Sequence, residues 1–219
     1  MMTVSVSKTP WRTLGERLAF LWAFARHPRA VGAVAPSSRF LARAVAGAVP
    51  PGARCVAELG PGTGSITRAL LQRLGHDATV LALEIDPAFC AVLRRDFPAG
   101  RLRVVEGPAQ RLPEVAAELG MTVEAVVSGL PFANFPPAVR HEIVGAAYGA
   151  LVAGGVFAGY GYAPFTLPAV LDAHFGGHAM GFVWRNLPPA FVFTAHKEAS
   201  RPVQGSPIVP SGDHVTGRL

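Results

Sequence analysis

From residue 54 onward, apolar residues gather in short runs that alternate between two spacings. RCVAEL, TVLALEI, RLRVVE, EAVVSGL and VFAGYGY have strand length and are bounded by glycine, proline or polar residues. Between them, SITRALLQRL, PAFCAVLRRDF and PAVRHEIVGAAYGAL repeat their apolar positions at three and four residues, the period of a helix with one buried face. Strands alternating with helices predict a parallel sheet covered by helices. Two later apolar runs, GFVWRNLP and AFVFTAHK, are separated by Pro188 and Pro189 and predict an antiparallel pair closing one edge.

One stretch imitates a membrane span. Ile143 to Leu171 is 29 residues without a formal charge, long enough to cross a bilayer as a helix. Its six glycines, with Pro164 and Pro168, predict instead a helix, a turn at Gly154-Gly155 and a buried strand. The beginning of the chain has apolar segments broken by Arg12, Glu16 and Arg17 and is not read as a signal peptide. From Ala199 the sequence is polar and rich in Pro, Gly and Ser, so residues 199–219 are expected to be a disordered tail.

Composition narrows this picture. A chain of 219 residues with 50% apolar content fits one domain with appendages. Its two cysteines, Cys55 and Cys90, fall in apolar runs without metal-ligand spacing, which fits a reducing compartment. The net charge of +6 is uneven: residues 1–54 carry eight basic side chains against Glu16 alone. Such an arm suits an anionic lipid surface or a nucleic acid.

The candidate chemistry lies in ELGPGTGSIT, Glu58 to Thr67. Gly60, Gly62 and Gly64 follow a predicted strand and precede a predicted helix, at the carboxyl edge where such sheets bind ligands. Glu84 ends the next strand about 20 residues after Gly64, the spacing at which a carboxylate meets ribose hydroxyls. The dinucleotide pattern GxGxxG would need a glycine where Ser65 stands. Glu58 would repel a pyrophosphate but suits the ammonium of a methionine moiety. S-adenosylmethionine is therefore favoured over a nicotinamide dinucleotide.

ELGPGTGSIT followed by LEIDP resembles the class I S-adenosylmethionine-dependent methyltransferases, in the branch that contains rRNA adenine dimethylases and bacterial phospholipid N-methyltransferases. VGAVAPSSRFLARAV, Val31 to Val45, and SGLPFANFP, Ser128 to Pro136, resemble the second group, membrane-peripheral enzymes that convert phosphatidylethanolamine to phosphatidylcholine. The resemblance implies a Rossmann-like α/β fold, with a mostly parallel seven-stranded sheet, an antiparallel edge hairpin and an N-terminal amphipathic helix. It divides the chain into a membrane-binding helix and linker (1–36), a methyltransferase domain (37–198) and the tail. S-adenosylmethionine would be held by Glu58, Gly60, Gly62, Gly64, Ser65, Glu84, Ile85, Ala109, Ser128 and Gly129, with no metal. Many relatives place an acid after the third strand to meet the adenine amino group. Here Pro108 occupies that place, leaving the Ala109 backbone or the Gln110 side chain for the contact.

Transfer to an amine needs a free lone pair on the acceptor, so a proton must leave first. Tyr160, Tyr162 and His141 are the candidate proton acceptors. Phe132, Phe135 and Trp184 are candidate walls for a methylated ammonium, and Arg185, Arg39, Ser37 and Ser38 candidate phosphate contacts. In the N-terminal segment Trp11, Leu14, Leu18, Leu21 and Trp22 line one side of a helical wheel, with Arg17 beside them, a composition suited to the interface of an anionic bilayer. The expected protein is a phosphatidylethanolamine N-methyltransferase on the inner face of the cytoplasmic membrane. Another amino-lipid such as ornithine lipid, an RNA adenine, or a non-catalytic membrane module are the alternatives.

Overall fold

The computed structural model describes residues 38–199. The expected membrane helix, with Trp11, Leu14, Arg17, Leu18, Leu21 and Trp22, lies outside the described residues, as do Ser37 and residues 200–219. Five parallel strands form the body of one sheet: β1 (Cys55–Leu59), β2 (Thr79–Glu84), β3 (Leu102–Glu106), β4 (Val123–Ser128) and β5 (Leu151–Gly161). Two strands, β6 (Ala179–Val183) and β7 (Ala190–His196), complete it antiparallel to their neighbours, in the order β3-β2-β1-β4-β5-β7-β6.

Strand alternation sends side chains to two helical layers. Cys55, Ala57 and Leu59 of β1, with Leu81 and Leu83 of β2, face a core built on α4 (Leu112–Glu118), α5 (Pro137–Ala150) and α6 (Thr166–Phe175). Val56, Val80 and Ala82 face the other layer, made of α1 (Arg39–Gly47), α2 (Ser65–Arg73) and α3 (Pro87–Asp96). Glu58 and Glu84 share the parity of this second set, so two carboxylates point toward the α2 layer from adjacent strands. The strand order reverses between β1 and β4, which opens a crevice at the carboxyl edge.

Several boundaries differ from the sequence reading. The Gly154-Gly155 turn lies inside β5: the register steps from Val123 opposite Leu151 to Ala125 opposite Val156, and Gly154 takes φ 79°. Helix α6, which follows β5, has no counterpart in the expected pattern. Its Pro168 is the third helical residue, where no intrahelical N–H is required. Helix α4 was likewise absent from the expected pattern. Both cysteines are buried and unpaired. No helix among the described residues is long and apolar enough to cross a membrane.

Two cations tie helix ends to the sheet. Lys197 Nζ donates to the carbonyls of Tyr148 and Leu151 at 2.8 and 2.7 Å and lies over the Tyr148 ring, closing the last turn of α5. The Arg101 guanidinium donates to the carbonyls of Leu71, Leu74 and Gly75 at 3.0, 3.2 and 2.7 Å, satisfying orphan acceptors in and just beyond the last turn of α2. Arg101→Met should lower unfolding stability by about 2 kcal/mol, the scale of charge-assisted hydrogen bonds, measured by urea denaturation, while leaving ligand affinity at the opposite edge intact.

Candidate functional site

The turn from β1 into α2 needs three glycines for two distinct reasons. Gly60, Gly62 and Gly64 all take positive φ, at 66°, 55° and 80°, a region costly to residues with a Cβ. A Cβ on Gly60 would stand 2.4 Å from Leu130 Cδ2, and one on Gly64 2.5 Å from the Phe97 ring. Those two positions are closed by packing. Gly62 differs: nothing lies within 4 Å of its Cβ position, so its bare backbone faces open space at the carboxyl edge.

Glu84 pins this turn. Its Oε2 accepts from the Gly62 N–H at 2.9 Å, and its Oε1 accepts from Ile85 and Asp86 at 2.8 and 3.0 Å. Both acceptor sites of Oε1 are thus filled, and one lone pair is left on Oε2 for a ligand hydroxyl. Burial raises the carboxyl's pKa and the three backbone donors oppose that. The Ile85 side chain packs against the α4–α6 core.

Glu58 is fully buried. Its Oε2 accepts from the Thr67 hydroxyl at 2.6 Å, whereas Oε1 has no partner among the described residues. Burial pushes this carboxyl up to about 7, with the nearby Glu84 charge adding to the effect and the Thr67 hydrogen bonds opposing it. An orphaned carboxylate oxygen is an unmet demand for a donor. After β3, Gln110 Oε1 is a second buried acceptor without a partner, beside the buried Ala109.

The loop after β4 completes the cradle. Ser128 is buried, and its Oγ accepts from the Leu130 N–H at 3.3 Å. The Gly129 N–H donates to the Leu59 carbonyl at 2.8 Å, and a Cβ there would stand 2.6 Å from the Gly60 carbonyl oxygen. The loop therefore rests directly on the glycine turn. Ser65 opens α2 as its first residue.

Residues 56–155 match the family described as a methyltransferase domain. An ornithine lipid N-methyltransferase from Singulisphaera acidiphila is 34% identical over 174 residues, covering 78% of this chain and 91% of that protein. The chain is a class I S-adenosylmethionine-dependent methyltransferase. Ribosomal RNA small subunit methyltransferase A of Bordetella pertussis is 42% identical over 92 residues, 42% of this chain and 32% of that one. Among solved structures, the 1,6-didemethyltoxoflavin N1-methyltransferase of Burkholderia thailandensis shares the fold at TM-score 0.64 and 16% identity, over 88% of this chain and 93% of that one.

The residues present fit the methyltransferase's cofactor. The bare Gly62 backbone would allow close approach, the open Glu84 Oε2 lone pair could take a ribose hydroxyl, and the orphan Glu58 Oε1 could take a donor from the methionine end, directly or through water. Gln110 Oε1 would be the acceptor available to an adenine amino group in place of the acid that Pro108 replaces.

The expected acceptor residues scatter. Phe132 and Phe135 are not walls of a site: both are buried in the α4–α6 core, edge to face at 6.3 Å. A single 3₁₀ turn, Phe132–Asn134, packs against α6 and carries them inward. Exposed His141 contacts His174 of α6 at 3.2 Å, an approach between residues remote in sequence. Tyr160 and Tyr162 do share a face, with ring centroids 6.1 Å apart; the first is buried and the second exposed. Ser38 caps α1 by accepting from the Leu41 N–H at 3.3 Å. Arg185 and Arg39 lie over the Phe40 ring at 4.1 and 4.9 Å, and Trp184 is exposed.

The two kinds of glycine should separate on substitution. Gly62→Ala meets no neighbour, so its folding loss should stay near the 1–2 kcal/mol of a left-handed alanine, while S-adenosylmethionine affinity by calorimetry falls at least about tenfold. Gly64→Ala, driven into Phe97, should lose more thermal stability than Gly62→Ala. A second measurement concerns Glu58. A carboxyl held near 7 when folded and near 4.5 when unfolded keeps its proton longer in the native state, so stability should fall as pH rises from about 4.5 to 7 and level off above. The loss is on the order of 3 kcal/mol, and urea denaturation of the cofactor-free protein should show it shrinking in Glu58→Gln.

Proposed function

We propose that this methyltransferase acts on the primary amine of an amino-lipid, with an ornithine-type lipid as first acceptor and phosphatidylethanolamine and its mono- and dimethyl derivatives as second. The observation that carries the reading is the likeness to an ornithine lipid N-methyltransferase across 91% of that protein. This reverses the order of acceptors that the PSSR and SGLP resemblances suggested. An RNA acceptor is less well supported, because the ribosomal RNA relative is matched over only 32% of its length.

When bound, S-adenosylmethionine supplies an electrophilic methyl group on a sulfonium. The chain's contribution is mainly to position and desolvate. Glu84 and Gly62 hold the ribose side of the pocket, and Glu58 the methionine side. Tyr160 and Tyr162 rise from the carboxyl end of β5 on the same sheet face as Glu58 and Glu84. They are the best-placed groups to meet the acceptor amine. A phenol oxygen there takes or relays the departing proton, and the two rings, set edge to face, offer π surfaces to a cationic product. His141, on the opposite helical layer and engaged with His174, is set aside. In this reading the protein works peripherally on the cytoplasmic membrane face, with the segment around Trp11 and Trp22 assisting attachment.

Purified protein incubated with labelled S-adenosylmethionine and vesicles containing either ornithine lipid or phosphatidylethanolamine should label mono-, di- and trimethylated lipid, resolved by head group. Preference for ornithine lipid by several-fold in initial rate is expected. Protein that binds the cofactor yet labels neither lipid overturns the reading.

A further inference from the structure

Seven large apolar side chains are exposed among the described residues, and all but Leu119 lie between Tyr162 and Leu187. Such clustering marks an interaction surface, whereas scattered single residues would not. The most exposed are Leu187 at 90%, Phe165 at 78% and Trp184 at 72%, followed by Phe182 at 57%. Phe182 lies near the end of β6, and Trp184 and Leu187 occupy the turn joining β6 to β7. Phe165 stands in the loop between β5 and α6.

Topology brings these residues to one place. Strand β7 runs antiparallel to both β5 and β6, with Gly161 opposite Phe191 and Val183 opposite Ala190. The β6–β7 turn therefore emerges at the carboxyl end of β5, about two strand spacings or roughly 10 Å across from the β5–α6 loop. That edge is the one occupied by the glycine turn. The tip is held in shape from within: Asn186 is buried, and its Nδ2 donates to the Pro188 carbonyl at 2.6 Å.

The charge around this tip has one sign. Arg185 stacks on Phe40 from the turn, with Arg39 over the same ring. From Ser38 to Arg54 the chain carries no acidic residue, and from Leu151 to Lys197 only Asp172. An exposed tryptophan and leucine flanked by arginines match the interfacial zone of an anionic bilayer, where the ring sits at headgroup depth and guanidinium groups meet phosphates.

We propose that the β6–β7 turn, with Phe165 beside it, is a membrane-docking surface that inserts into the headgroup region of an anionic bilayer and brings the carboxyl edge of the sheet against the lipid. This rests on the amino-lipid reading for the choice of occupant. It gives the Trp184 region a role separate from walling the reaction site, and supplies a second point of attachment that orients the domain. With the edge facing the bilayer, a lipid amine reaches the crevice beside Tyr162 while its acyl chains stay in the membrane.

The test uses the full-length chain carrying Trp184→Glu and Leu187→Glu. Flotation with vesicles of phosphatidylglycerol and phosphatidylcholine, which contain no amino-lipid, should show vesicle affinity lowered at least about tenfold. Calorimetric affinity for S-adenosylmethionine should remain that of the unmodified protein, showing that the fold is intact. Trp184→Phe, which keeps a ring at the tip, should retain binding, and Arg185→Ala should lose more affinity as the phosphatidylglycerol fraction rises. Unchanged flotation of the double variant overturns the docking surface. So does a dimer in the unmodified protein that the double variant breaks while vesicle binding persists, which would assign the patch to a second copy of the chain. Failure of the amino-lipid reading has a different signature: normal, tip-dependent vesicle binding with no methylated lipid of either kind.

Discussion

The carboxylate of Glu84 is the constraint around which the cofactor side of this molecule is organised. It accepts hydrogen bonds from three backbone N–H groups, one in the glycine turn and two in its own loop. Two strand ends and the entry to α2 are thereby held in one geometry. A carboxylate buried this deeply would ordinarily be expelled or neutralised, and fixed amide dipoles are what make it tolerable. The same geometry leaves Gly62 with an open face. Replacing the acid would remove a ligand contact and also the reason the turn has its shape, so binding and local order are linked through one side chain.

Close packing completes what the carboxylate begins. The loop after β4 lies so near the turn that Gly129 cannot carry a Cβ without meeting the Gly60 carbonyl, and Gly64 is closed by Phe97 at the end of α3. Three segments distant in sequence are locked together, two of them backbone against backbone and the third through an aromatic ring. Interiors packed to this density transmit small shifts. A substitution at Phe97, the residue that caps α3, would therefore reach the ligand cradle without touching the ligand.

The cofactor half of the site was legible in the sequence because its parts are local. Gly60, Gly62 and Gly64 occupy a single turn, and Glu84 follows at a spacing set by one helix and one strand. The strand and helix alternation was legible for the same reason, through periodicity. Helix α6 was not, since Pro168 reads as a breaker unless its place in the first turn is known. Phe132 and Phe135 looked like ligand walls because a proline-flanked loop resembles a surface, and only the fold shows them turned into the core against α6. The proximity of His141 to His174, and the gathering of Phe165, Trp184 and Leu187 at one edge, arise from strand order. No local pattern encodes them.

The electrostatics of the site bear on which ligands suit it. Glu58 and Glu84 lie on adjacent strands and face the same layer, and the charge of one raises the pKa of the other. Two carboxyls this deeply buried, one of them already pushed up to about 7, make the cradle unfavourable to a further anion, which argues against a pyrophosphate-bearing cofactor independently of the glycine spacing. A cationic ligand reverses the sign: positive charge near Glu58 stabilises its ionised form and draws its pKa back down. Ligand binding and ionisation of Glu58 must then be linked, each favouring the other. Methyl transfer neutralises the sulfonium and leaves the ammonium of the methionine end in place, so a linkage made through Glu58 acts on the cofactor and on its thioether product alike, and any difference between them must come from groups that face the sulfur.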